Sequence, residues 1–139
     1  MRKIMVGISS LLVLTACGQS ADKSWTEACN IVMSDPDVQR DILEASVTVE
    51  SYCTCTSQQV LALPDASRDT AIETLEMVAG LMGEHNGSAE AAFRQLSEAR
   101  RADDATPEAI AAYENMDELG EQLEEYLDGM RAAGGTCPV

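Results

Sequence analysis

The chain has 139 residues, 24 of them acidic and nine basic, for a formal charge of −15 at neutral pH, with 45% apolar and only 4% aromatic residues. An acidic surface of this strength repels phosphate backbones, whose recognition requires Lys and Arg, so nucleic acid is excluded as a partner. It repels anionic lipid headgroups for the same reason, which leaves only an attached acyl chain to hold such a chain at a membrane.

The N-terminus is the exception to this acidity. Arg2 and Lys3 precede a mostly apolar stretch from Ile4 to Leu14, with no acidic residue before Asp22, the layout of a secretory signal and too short to span a bilayer comfortably. Leu14-Thr15-Ala16-Cys17 closes that stretch and resembles a bacterial lipobox. The resemblance covers the first 17 residues and implies a signal peptide at 1–16, cut before Cys17, whose thiol is then acylated with palmitate-type chains and inserted in the lipid bilayer. Gly18, in place of an aspartate after the lipidated cysteine, implies an envelope protein held at the outer membrane and facing the periplasm. Loss of Arg2 and Lys3 leaves seven basic residues against 24 acidic ones, a formal charge of −17.

The remaining 123 residues suffice for one domain with a real core. Residues 17–23 read as the lipidated cysteine and a polar tether, its six residues from Gly18 reaching about 20 Å when extended, and 24–139 as a helical domain. Ser24-Trp25-Thr26-Glu27 reads as a capping box that opens a helix to about Met33. Asp35-Pro36-Asp37 restarts the chain, with proline in a first turn and acids at its positive end. Val38, Ile42, Ala45, Val49, Tyr52, Thr56, Val60 and Leu63 then recur at helical steps, although Val47-Thr48-Val49 is a β-branched run that suits a strand. Leu63-Pro64-Asp65 ends that element. A helix from about Ala66 turns Ala71, Leu75, Val78 and Met82 inward and stops at Gly83–Gly87. Ser88 caps a short helix through Phe93 and Leu96. After the Asp103-Asp104-Ala105 loop, Thr106-Pro107-Glu108 opens the longest helix, with apolar steps at Ile110, Tyr113, Met116, Leu119, Leu123, Tyr126 or Leu127 and Met130, and Gly134-Gly135 closes it. The fold class is all-α: a single disulfide-stapled bundle of four to five helices of unequal length.

Cys29, Cys53, Cys55 and Cys137 are an even set, and export into an oxidising compartment makes two disulfides the default. In a helix, residues two apart diverge by about 200°, so Cys53 and Cys55 face different neighbours, one suited to Cys29 and the other to Cys137. A tight hairpin at Asp35-Pro36 conflicts with a Cys29 bond: it leaves Cys29 about 8 Å from the turn and Cys53 about 25 Å from it, whereas disulfide Cα atoms lie within about 7 Å. A break that starts the next helix nearer Val47 removes the conflict. Four cysteines allow three connectivities, and sequence leaves the choice open. An early cysteine, a Tyr-Cys-x-Cys helix and a late cysteine together are similar to small exported helical proteins of unknown function, a resemblance that implies no activity.

Cys53-Thr54-Cys55 is the one constellation with a chemical alternative, since such a pair can exchange disulfides or hold Cu(I). Met77 and Met82 are five apart, off one helical face, and read as core filling. His85 reads as a solvated loop residue, and Ser88 is merely its neighbour in sequence, with no oriented base to make it a nucleophile. Asp35, Asp37, Glu84, Asn86, Asp103 and Asp104 match no Ca²⁺-loop spacing, and Asn86-Gly87-Ser88 is only formally a glycan acceptor. Glu114, Asp117, Glu118, Glu121, Glu124, Glu125 and Asp128 run round the last helix as a solvated face or as a docking surface for a basic envelope protein. No catalytic residue, metal site or cofactor is expected. The leading expectation is a non-enzymatic, membrane-anchored, acidic protein-binding or structural module. A thiol-disulfide or soft-metal factor acting through Cys53 and Cys55 is one alternative, and an acidic inhibitor of a basic hydrolase is another.

Overall fold

A computed structural model describes residues 16–138. Among these residues six α-helices follow in chain order: α1 Ala16–Val32, α2 Pro36–Glu44, α3 Val49–Leu61, α4 Asp65–Glu84, α5 Ala89–Arg101 and α6 Pro107–Ala132. No strand occurs among the described residues. The count exceeds the expected four to five because the stripe from Val38 to Leu63 is two helices. Ala45 caps the end of α2, Ser46 turns through φ 61°, and Thr48 restarts the chain as the N-cap of α3. The Val47-Thr48-Val49 run therefore supplies a buried loop residue, a cap and a first helical residue instead of a strand.

Most helix boundaries follow from local chemistry. Asp35 accepts the amides of Asp37 and Val38, with Pro36 in the first turn of α2. Ser88 accepts from Ala91 N–H at the start of α5, and Thr106 from Ala109 N–H at the start of α6. Gly134 and Gly135, both at positive φ, end α6. There the Gly135 amide returns to the Met130 carbonyl.

The first helix is the clear correction. Ser24 does not cap it; α1 is already helical at Ala16 and runs through the segment read as an extended tether at 17–23. Tertiary contacts explain the longer helix. Ala21, Trp25, Ala28 and Val32 form one stripe on the core, and the Ser57 hydroxyl donates to the Asp22 carboxylate from α3. A capping signal is a local preference worth about 1 kcal/mol, less than an extra helical turn gains when its inner face is packed. Of the expected signal peptide, residues 1–15 lie outside the described residues.

α1 packs against both α3 and α4, while α4, α5 and α6 pack on one another, so α1 and α4 form the spine of the bundle. Trp25, Cys29, Ile42, Tyr52, Cys53, Leu75, Met82 and Met130 are the buried centre. The single tryptophan is fully buried, and a buried side chain of its size removes roughly 150–250 Å² from water, about 4–6 kcal/mol as an upper figure. α5 is fastened to α6 by Phe93 and Tyr113, ring centroids 5.7 Å apart, with Arg100 lying 4.1 Å over the Tyr113 ring. Ile110, expected on the inner stripe of α6, is 37% exposed, because the first turns of that helix extend past the core.

Candidate functional site

The cysteines sit where α1, α3 and the chain after α6 meet. Cys29 bonds Cys53, with Cα atoms 5.7 Å apart, and Cys55 bonds Cys137, with Cα atoms 5.4 Å apart. The break at Ala45–Thr48 makes the first pair possible, because α3 can then lie alongside α1. The second pair depends on Gly135. Its φ is +87°, and a Cβ built there would stand 2.7 Å from the Ser46 carbonyl oxygen, so only glycine lets the chain after α6 lie against the α2–α3 turn and deliver Cys137 to α3. Cys29 and Cys53 are fully buried and Cys55 nearly so, whereas Cys137 is half-buried. Both sulfurs of Cys53-Thr54-Cys55 are thus committed to different elements, as the helical divergence of about 200° requires.

A buried polar network backs this staple. Trp25 Nε1 donates to Thr56 Oγ1 at 3.0 Å, and Thr56 Oγ1 donates to the Tyr52 carbonyl at 3.0 Å and the Cys53 carbonyl at 3.3 Å. The Tyr52 hydroxyl donates to the Leu123 carbonyl of α6 at 2.7 Å. Burial, with Tyr126 beside it, pushes the Tyr52 hydroxyl well above its ordinary pKa, which keeps it a donor. Among the described residues no buried side-chain nitrogen or oxygen lacks a partner. The network therefore orders the core; it presents no reactive group to solvent.

The other expected positions are dispersed. Cys17 falls in the first turn of α1, with its side chain outside the described residues. Met82 is buried in the core and Met77 half-buried. His85, expected to be solvated, is half-buried and hydrogen-bonds through Nε2 to Gln95 Oε1 on α5. Ser88 uses its hydroxyl as the α5 cap. Among the described residues no three of His, Cys, Asp and Glu converge to hold a metal ion, and no helix is long and apolar enough to cross a membrane.

One carboxylate has a role that sequence reasoning missed. Asp35 is 8% exposed; its Oδ1 accepts from the amides of Asp37 and Val38, and its Oδ2 accepts from the Ala89 amide, 2.9 Å away at the start of α5. Asp35 caps two helices 54 residues apart. The Ala89 amide first, then those of Asp37 and Val38, hold its pKa below the ordinary value of 3.8 against the opposing effect of burial.

Among the described residues, the widest concave surface is a cleft along α6. One part, about 450 Å³, lies between α4, α5 and α6 over Leu75, Val78, Phe93 and Met116; the other, about 530 Å³, lies between α2 and α6 over Val38, Ile42 and Leu127. Val32, Gly120, Leu123 and Glu124 line both, so the two parts meet at the middle of α6. Asp117, Glu121, Glu124 and Asp128 border it from α6, and Asp41 and Glu44 from α2. Among the described residues Arg131 is the one cation lining either part, and it pairs with Asp128. Sequence reasoning identified the acids of α6 but not the cleft, whose lining comes from all six helices. Compared with known protein families, curated proteins and solved structures, the chain matches none of them.

Proposed function

We propose that the mature protein is a lipid-anchored envelope protein, acylated on Cys17, whose acidic helical domain works by binding another protein and not by catalysis. The observation that carries the reading is the run Leu14-Thr15-Ala16-Cys17 behind a basic and apolar leader. Gly18 after the cysteine favours the outer membrane as the site of attachment. Acylation there would fall in the first turn of α1, so the domain would stand directly at the bilayer surface with no extended tether. The formal charge of −17 keeps it from lying down on anionic headgroups. Protein binding is supported by the apolar cleft with its carboxylate border. The four remaining cysteines support a scaffold role, since each bond joins separate segments of the chain and includes at least one fully or nearly fully buried cysteine.

The test is the intact mass of the protein extracted from membranes, together with labelled-palmitate incorporation. A chain starting at Cys17 and carrying acyl mass, with no label in Cys17→Ser, is the expected result. A mature chain that starts elsewhere and carries no acyl group would overturn the anchor.

A further inference from the structure

We propose that the cleft along α6 is the docking site for a basic amphipathic helix of a partner protein. The inference rests on the protein-binding reading above and is independent of the lipid anchor. Three observations on this surface agree. The first is shape and polarity: from Met116 to Arg131 the cleft follows α6 for about 22 Å, the length of a helix of about 15 residues, over a floor of Val78, Leu123, Val38 and Leu127 that the bundle leaves only half-buried. Phe93, 44% exposed, stands at one end. An amphipathic helix laid in such a groove anchors through apolar residues at steps of three and four.

The second observation is charge. Asp41, Glu44, Asp117, Glu121 and Glu124 border the floor, and none of them pairs with a lysine or arginine among the described residues. Carboxylates on both sides of the α2–α6 part, and along the α6 side of the other part, match a helix with cations flanking its apolar stripe. The same border opposes a second copy of this chain, which would bring its own large negative charge to the contact.

The third is Gly120. Glycine inside a helix costs about 1 kcal/mol relative to alanine, and it leaves the backbone bare. Among the described residues nothing packs on it: a Cβ at Gly120 would meet no atom within 4 Å. Gly120 lies where the two parts of the cleft join, so the bare backbone opens toward solvent at the centre of the floor, where a partner helix can come close.

The experiment uses the full mature protein in detergent micelles and, as probe, a fluorescein-labelled 18-residue helix with leucines on one face and lysines on the other. Fluorescence anisotropy reads its Kd against wild type and three variants. A Cβ at Gly120 meets nothing within 4 Å and leucine has the better helix propensity, so Gly120→Leu is expected to keep the fold, which circular dichroism checks, while filling the cleft and lowering affinity about tenfold or more. Glu121→Gln/Glu124→Gln is expected to weaken binding by about tenfold and to flatten its salt dependence. Asp103→Asn/Asp104→Asn removes the same charge from the α5–α6 loop and is expected to leave Kd within about twofold of wild type. Equal losses from the two neutralised pairs, with no effect of Gly120→Leu, would mean that the peptide is attracted only by net charge and would overturn the site. So would the absence of binding, or displacement of the probe by a peptide of residues 1–16 in preference to the lysine helix. None of these results bears on Cys17, so failure of the docking site and failure of the anchor are separable.

Discussion

Asp35 offers the sharpest test of how this bundle is held together, because one carboxylate performs two separable tasks. Replacement by alanine removes the cap of α2, about 1 kcal/mol, and also the acceptor of the Ala89 amide at the start of α5. A charge-assisted bond of that kind contributes about 1.5–3 kcal/mol, reduced here because Ala89 is only half-buried and water can replace part of it. Asp35→Ala is therefore expected to cost about 2–4 kcal/mol. Serine caps a helix as well as aspartate does but is too short to reach α5, so Asp35→Ser is expected to cost only about 1–2 kcal/mol. Urea unfolding followed by the fluorescence of Trp25, the only tryptophan, measures both.

The pH dependence gives an independent check. The folded pKa of Asp35 lies below its ordinary 3.8, so the unfolded chain binds the proton more readily than the folded one. The contribution is then fully present above about pH 5, and it is lost as the pH falls through the ordinary value and on through the lowered folded one. The stability gap between wild type and Asp35→Ser should narrow from pH 7 to pH 3, while the other carboxylates titrate alike in both proteins. A gap of unchanged size at pH 3, or a serine variant as unstable as the alanine one, would refute the double-cap account.

Two further outcomes are expected of the core. Thr56→Val leaves the fully buried Trp25 indole N–H without its acceptor and should cost about 1–3 kcal/mol, with Thr56→Ser recovering most of it; chemical unfolding checks this, and a valine variant as stable as wild type would remove the network from the account. Under native conditions a thiol reductant should open Cys55–Cys137, whose outer sulfur is half-buried, before Cys29–Cys53, which is sealed inside, and its loss over a separation of 82 residues should cost up to about 4.5 kcal/mol. Alkylation and peptide masses report the order, and release of Cys53 first would point to the thiol-disulfide chemistry that the scaffold reading rejects.

How far each part of this protein can be read from its sequence depends on the range of the interactions that decide it. Helix starts at Pro36, Ser88 and Thr106 and the stop at Gly134-Gly135 depend on residues within one turn, and they stand in the structure as the local pattern implies. The inner face of α4 was equally legible, with Ala71, Leu75 and Met82 buried. Ser24 carried a cap signal just as good, and it misled, because Ala21 and Asp22 find partners on other elements that extend α1 through it. The four cysteines announced two bonds but not which, since pairing is a distance between chain segments. The Ser46 turn and the bare Gly135 backbone supply that distance.

The sequence by itself determined the all-helical class, the number of cysteines available to staple it, the strong acidity, and the leader pattern on which the proposed anchor stands. All of these follow from composition or from neighbours along the chain. Only the tertiary structure decided that Asp35 caps a second helix 54 residues away, that Trp25 is satisfied by Thr56, and that the acids of α6 border an apolar cleft with Gly120 at its centre. Those features require surfaces from several helices to meet at distances of a few ångströms, and such meetings are fixed by how the whole bundle packs, to which no single stretch of sequence is more than one contributor.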